Sequence, residues 1–342
     1  MFGKRIGVDL GTANVLVYVK GRGIVIAEPA VVAVAQRDNS IVAVGADARE
    51  MLGRTPGAIQ VIRPMREGVI ADYVTTEAML RYFISRVIGR MAFVKPEVMI
   101  CVPAGVTGVE QRAVQDAAEA AGARRPANII PEPLAAAIGA RIPVSAPQGH
   151  MVVDIGGGRT EAAIISMYGI VVTESVRVAG DRLDDAIASY VKRRYNLIIG
   201  DRTAEELKIA IGSALPLDED LIYQVRGRDQ ITGLPRTITV TSTDISQAIQ
   251  DSLQSIIGAV RSVLERTPPE LASDVVDRGI VLTGGTALLR SLDRLITQEI
   301  GIPCYIADNP LECVAMGAGI ALDHLDLIKR AQPAEGEWLV SF

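Results

Sequence analysis

An α/β fold built on a duplicated domain is expected from this 342-residue chain, and three observations lead to it. Strand-like and helix-like segments alternate throughout, the pattern of helices packed against sheets. A strand, an acidic glycine turn, a strand, a turn and a further strand are written twice, once near the start and once after residue 150. With 49% apolar residues the chain can bury a large core, and its length exceeds the usual size of one domain, so two domains are expected. Aromatic residues make up only 4%, which leaves the filling of that core to aliphatic side chains.

The first copy starts with an apolar strand at 5–8, turns through Asp9-Leu10-Gly11-Thr12, continues along an alternating strand at 14–19 and meets Gly23-Ile24-Val25. A strand at 97–102 then feeds a helix that opens on the capping box Thr107-Gly108-Val109-Glu110 and closes at Gly122. Pro133 suits the first position of a helix through residue 140, with Glu132 just before it. The second copy runs from a strand at 151–153 through Asp154-Ile155-Gly156-Gly157-Gly158 to a strand at 160–165 and Gly169-Ile170-Val171. Asp181 is expected to cap a helix reaching about residue 195, and Thr203-Ala204-Glu205-Glu206 to form a capping box for a helix to about 213. Residues 217–243, rich in Val, Ile and Thr alternation, read as a small sheet-bearing unit. A long helix over 244–265 stops at Thr267-Pro268-Pro269. A buried strand at 279–282 runs into Thr283-Gly284-Gly285-Thr286, expected to open a helix over 287–299 and to offer its N–H groups to an anion. The last helix is expected after Asp308-Asn309-Pro310-Leu311-Glu312, where Gly317 and Gly319 allow another segment to come close.

The paired turns suit phosphate and magnesium. Glycine lets backbone N–H groups approach an anion and form a concave nest of donors. Asp9 and Asp154 would repel phosphate directly but can hold a hydrated magnesium ion through its waters. Neither turn contains a lysine and no G-x-x-x-x-G-K-[ST] loop is present, so Thr12 and Asn14 supply the side-chain donors. The net charge of −5 offers no basic footprint for nucleic acid. Cys101, Cys304 and Cys313 lack metal spacing, and His150 and His324 are the only histidines, which argues against disulfides, zinc and histidine catalysis. No apolar run is long enough to span a bilayer and the start does not read as a signal peptide, so a cytoplasmic location is expected.

Together these motifs resemble the actin, sugar kinase and heat-shock chaperone ATPase superfamily, and specifically the MreB family of bacterial actins. The resemblance runs over nearly the whole chain: GVDLGTAN at 7–14, PMREGVI at 64–70, VPAGVT at 102–107, EPLAAAIG at 132–139, DIGGG at 154–158, RTAE at 202–205 and IGSA at 211–214 follow in the family's order. It implies an actin-like, ribonuclease H-like duplicated fold, with two domains each split into two subdomains around a nucleotide cleft. Subdomain IA would comprise 1–32, 66–146 and 312–342, IB 33–65, IIA 147–180 and 244–311, and IIB 181–243. ATP or ADP with Mg2+ would bind there. Gly11, Thr12, Ala13 and Asn14 would hold phosphates opposite Gly156, Gly157, Gly158 and Arg159. Gly180 and Asp181 would lie beside them, and Glu205, Glu206, Leu207 and Lys208 would face ribose and adenine. Gly284, Gly285, Thr286, Ala287, Leu288 and Met316 would complete the nucleoside side. Glu132 would position the attacking water, assisted by Asp9 and Asp154. A carboxylate at a helix start is expected to stay ionised and to accept a proton from water.

Three residues depart from the family's pattern: Arg159 and Thr286 stand where threonine and glycine are usual, and Pro131 replaces an acidic residue. The resemblance further implies slow ATP hydrolysis coupled to polymerisation, with self-association into double antiparallel protofilaments on the inner face of the cytoplasmic membrane. RodZ, MreC, MreD and the wall-synthesis machinery are the partners it implies for keeping an elongated cell shape. Exposed apolar residues flanked by positive charge suit an anionic lipid surface, which singles out Met91, Phe93 and Val94, with Phe2 as a second contact. A small-molecule kinase and a non-hydrolysing structural filament are the alternatives.

Overall fold

The computed structural model describes residues 3–89 and 94–331. Its frame is a pair of five-stranded sheets of identical order. In the first, Asn128–Pro131, Glu97–Val102, Arg5–Leu10, Asn14–Val19 and Gly23–Pro29 lie side by side. In the second the sequence is Cys304–Ile306, Ile280–Thr283, His150–Ile155, Thr160–Ser166 and Gly169–Val176. Each central strand pairs antiparallel with its hairpin partner and parallel with the strand on its other side. In both sheets the following pairing, Asn14–Val19 with Gly23–Pro29 and Thr160–Ser166 with Gly169–Val176, carries a register shift, at Val17/Tyr18 and Ile164/Ile165. The expected duplication and α/β class are therefore present strand for strand.

Each half has its own aliphatic core, and a third cluster lies between the sheets. That shared layer is formed by the helices Glu132–Gly139 and Cys313–Ala321, whose apolar faces meet Met99 and Cys101 of one sheet and Val152 and Ala163 of the other. The two helices touch backbone to backbone. A Cβ on Gly317 would lie 1.7 Å from the Ala135 carbonyl oxygen, and one on Gly139 would lie 1.8 Å from that of Cys313. Any side chain would force these helices apart, which is what the glycines at the end of the chain are for. Two smaller sheets flank the frame. Val32–Ala35, Ile41–Val44 and Ile59–Ile62 form one, and Leu197–Ile198, Ile222–Asp229 and Pro235–Thr241 the other.

Several local expectations need correction. Glu132 is the first residue of its helix rather than the residue before it. The helix Gly180–Tyr195 starts after Ala179 without a side-chain cap, so Asp181 lies inside its first turn. The helix Asp201–Ile211 begins two residues earlier than expected and has no capping box; Glu206 instead accepts from Arg202 at 3.0 Å, an i,i+4 pair. After Thr283 the chain makes a single 3₁₀ turn, Gly285–Leu288, and the helix proper, Leu292–Ile300, follows a left-handed Ser291. Pro268 and Pro269 both stop one helix and start the next, Pro269–Arg278, because proline costs nothing in a first turn. The helices Tyr73–Ile88 and Leu325–Ala331 were also not expected.

Met91, Phe93 and Phe2 lie outside the described residues, whereas Val94 is described and exposed. Among the described residues no helix is long and apolar enough to cross a membrane.

Candidate functional site

The two acidic turns meet face to face across a cavity of about 370 Å³ between the halves, within the size range of small-molecule sites. Contact between them is tight enough to exclude side chains on the second turn. A Cβ on Gly157 would lie 2.7 Å from that of Ala13, and one on Gly158 would lie 2.8 Å from Thr12 Oγ1. The helix Gly180–Tyr195 is anchored to this turn, since Gly180 N–H donates to the Gly156 carbonyl at 3.2 Å and Asp181 N–H to that of Gly157 at 2.7 Å. Thr286 Oγ1 donates to the same Gly156 carbonyl at 2.7 Å. Thr286 thus fastens the 3₁₀ turn to the second acidic turn, which glycine in its place would leave unfastened.

Most expected site residues line this cavity. Asp9, Gly11, Thr12, Ala13 and Asn14 come from the first turn, and Asp154 with Gly156, Gly157, Gly158 and Arg159 from the second. Glu132, Gly180, Asp181, Glu205 and Lys208 join them, as do Gly284, Gly285, Thr286 and Leu288. Four others do not belong to the wall. Leu207 and Ala287 are wholly buried in the core of the second half, Glu206 turns out to Arg202, and Met316 is only partly buried and outside the lining. Helical geometry is the reason: Glu205 and Lys208 share one face, which sends Leu207 to the core. Sequence reasoning missed Gly68, Asp184 and Arg290 in the wall, along with the apolar Leu16, Ile209, Leu289, Leu311 and Val314. Asp184 carried a signal, one turn beyond Gly180 on the same helix; the apolar residues carried none.

The carboxylates are concentrated where water is scarce. Burial, then the charge of Asp154, pushes Asp9 up to about 8. Burial raises Asp154 less, to about 6, because Thr283 Oγ1 donates to its Oδ1 at 2.7 Å. Glu132 is held well above the usual carboxylate range by burial and by the charges of Glu161, Asp9 and Asp154. Against the expectation that its helix start keeps it ionised, burial first and then three neighbouring carboxylates favour the protonated form in the nucleotide-free protein. Glu161, which sequence reasoning passed over as an ordinary strand residue, is 1% exposed and sits near 7 through burial, opposed by Arg159 and by donors from Ser175 and Ala104.

Crowded buried carboxylates of this kind call for a cation. Among the described residues no group of three or more His, Cys, Asp and Glu side chains is arranged to hold one directly. Two aspartates beside a roomy cavity fit an ion bound through its waters. At the mouth, ion pairs reach across from the first half: Arg49, on the helix Ala46–Glu50, pairs with Glu205, and Arg63, just after the strand Ile59–Ile62, lies 3.6 Å from Asp181. Lys208 does not pair with Glu205 but with Asp184 at 2.9 Å and the Gly180 carbonyl at 3.0 Å. A nest of backbone donors, acidic residues for a hydrated divalent ion and an apolar recess beyond them make a receptor for a nucleoside phosphate.

Comparison with known proteins agrees with this architecture. The MreB/Mbl protein family profile matches residues 3–330. The cell shape-determining protein MreB of Escherichia coli (strain K12) is 54% identical over 333 residues, covering 96% of this chain and 95% of its own length. Among solved structures, MreB5 of Spiroplasma citri bound to ADP superposes with a TM-score of 0.90 at 38% identity, covering 96% of this chain and 99% of that one. The MamK double helical filament, at 18% identity and a TM-score of 0.79 over 93% of this chain and 98% of that one, shares the fold. Matched from end to end in profile, sequence and fold, the chain belongs to the MreB/Mbl family of actin-like proteins.

Proposed function

We propose that this protein is an ATP-binding, filament-forming actin homologue that helps to set cell shape from the inner face of the cytoplasmic membrane. The observation that carries the reading is the opposition of two glycine turns, each with its aspartate, across one cavity. MreB5 of Spiroplasma citri has been solved with ADP and with AMPPNP, and the same ligand class suits the donors here. Thr12, Asn14 and the amides of both turns bind the phosphates, Glu205 and Lys208 take the nucleoside side, and the four-part division of the chain supplies the cleft. Asp9 and Asp154 are the residues that would hold a magnesium ion, which would supply the positive charge that the acidic residues and phosphate oxygens both need. Glu132, at the cavity wall, orients the attacking water by hydrogen bonding and accepts its proton once cationic charge offsets its acidic neighbours. Hydrolysis is slow and coupled to assembly.

Titration calorimetry of the folded protein with ATP or ADP and magnesium tests the core of this proposal; no detectable heat at millimolar ligand overturns it. Polymerisation is read by pelleting and electron microscopy with ATP, ADP and AMPPNP. The shared fold of the MamK double helical filament supports only the expectation that this architecture can polymerise. For membrane attachment the support is the exposed Val94 beside the apolar 91–93 segment. Replacing Met91, Phe93 and Val94 by aspartate is expected to abolish pelleting with anionic vesicles while nucleotide binding persists. Unchanged pelleting would move the anchor to Phe2. RodZ, MreC and MreD belong to the same proposal as partners, and co-purification with the assembled filament is their test. A non-hydrolysing filament is the second reading, favoured by the raised Glu132, and phosphate release measured beside polymer mass decides against one or the other.

A further inference from the structure

Arg159 follows the glycines of the second turn, and both ends of its guanidinium are engaged. Its Nε donates to the Glu67 carbonyl and its Nη1 to Ser175 Oγ, each at 2.9 Å. Ser175 Oγ donates in turn to Glu161 Oε1 at 3.0 Å, and Glu161 also accepts from the Ala104 N–H at 3.1 Å. Glu67 and Ala104 belong to the first half, Ser175 and Glu161 to the second. One side chain therefore completes a hydrogen-bonded run across the floor of the cleft.

The segment it grips is rooted in the first half and pressed on the phosphate turns. Met65 of the hairpin Met65–Arg66/Val69–Ile70 is 1% exposed within the first core, and its turn residue Gly68 donates N–H to Thr12 Oγ1 at 2.9 Å. A Cβ on Gly158 would lie 3.1 Å from Glu67 Cα. Arg177 adds an ion pair to Glu67 at 3.0 Å, but both side chains are about half exposed or more, so the directed bonds of Arg159 carry the connection.

We propose that Arg159 is a positioning residue that straps the Glu67–Gly68 turn of the first half to the second acidic turn, so that bound nucleotide leaves only when the strap lets go. The inference rests on the nucleotide reading above. A ligand enclosed between two halves departs no faster than they separate, and losing hydrogen bonds to a charged group lowers that barrier enough for about a tenfold change.

Displacement of a fluorescent ADP analogue from the full chain with magnesium, followed by stopped flow, is the test. Arg159→Ala is expected to release ADP about tenfold faster. Arg159→Lys is expected to behave like Arg159→Ala, since an ammonium lacks the planar fork that serves two acceptors at once. Ser175→Ala is expected to speed release as well, with little added by combining it with Arg159→Ala. Unchanged release in Arg159→Ala, restoration by lysine, or fully multiplicative effects would each overturn the strap. Should the parent fail to bind ADP, the nucleotide reading falls and the strap is judged by hydrogen exchange in the nucleotide-free protein. There the Gly68 amide should exchange about tenfold faster in Arg159→Ala; equal exchange rejects it.

Discussion

Across the first hairpin Asp9 stands opposite Leu16, while at the matching place in the second Asp154 stands opposite Glu161. The strands, their order and even their register shifts are shared, yet one hairpin presents a single carboxylate and the other a pair. Asp9 is left near 8 by burial without a strong donor; Asp154, met by Thr283, settles near 6. The difference shows that the repeat conserves backbone geometry and lets chemistry diverge. The first turn supplies the more strongly perturbed acid and Thr12, whereas the second supplies glycine nests together with the Arg159, Ser175 and Glu161 run. Each copy is incomplete as a site, which explains why the cavity lies between them.

The comparison is broken most severely by removing the group that serves both turns. Glu132→Ala is expected to slow single-turnover ATP cleavage about 100-fold or more, measured by quench-flow with enzyme in excess; an unchanged rate would falsify its role. Next in size comes the layer shared by both halves. Gly317→Ala should cost about 3 kcal/mol of stability in denaturant titrations, because the new methyl meets a carbonyl on a helix backbone rather than a yielding side chain.

The two aspartates are told apart by pH. A carboxyl whose proton is held more tightly in the folded state stabilises fully below its unfolded value near 3.8, and that stability is lost as pH rises through the folded value. For Asp154 the loss ends near pH 6, and for Asp9 it extends to about 8. The nucleotide-free protein should therefore melt at lower temperature as pH rises across this window, with Asp9→Asn flattening the slope between about 6 and 8 and Asp154→Asn flattening only the lower part. Melting curves at four pH values, with and without ADP and magnesium, check this; parallel slopes in both variants would remove the asymmetry. The smallest expected effect sharpens the contrast. Thr283→Val deletes the 2.7 Å hydrogen bond and should raise Asp154 by about one pH unit toward Asp9, read by carbonyl-selective NMR titration.

The duplicated turns were legible because the chemistry that marks them is local: an apolar strand, an aspartate and glycines within a few residues. The capping box at Thr107 belongs to the same short range, whereas the one at Thr241 opens its helix two residues before the expected 244. What escaped was set by distant partners. Asp181 looks like a cap in isolation, but the helix starts one residue earlier, with the N–H groups of Gly180 and of Asp181 itself taken by the carbonyls of Gly156 and Gly157. Glu161 reads as one more residue of an alternating strand until Ala104 and Ser175 are brought to it from other elements. Arg49 and Arg63 had no visible role, because Glu205 and Asp181 meet them only once the two halves face each other. The break after Gly285–Leu288 has the same origin, in a threonine pinned to a turn some 130 residues away.

The contact of Gly317 with Ala135 and of Gly139 with Cys313 reaches beyond stability. Where main chain rests on main chain there is no rotamer to switch and no side chain to slide past another, so the two helices hold one fixed spacing in the layer between the sheets.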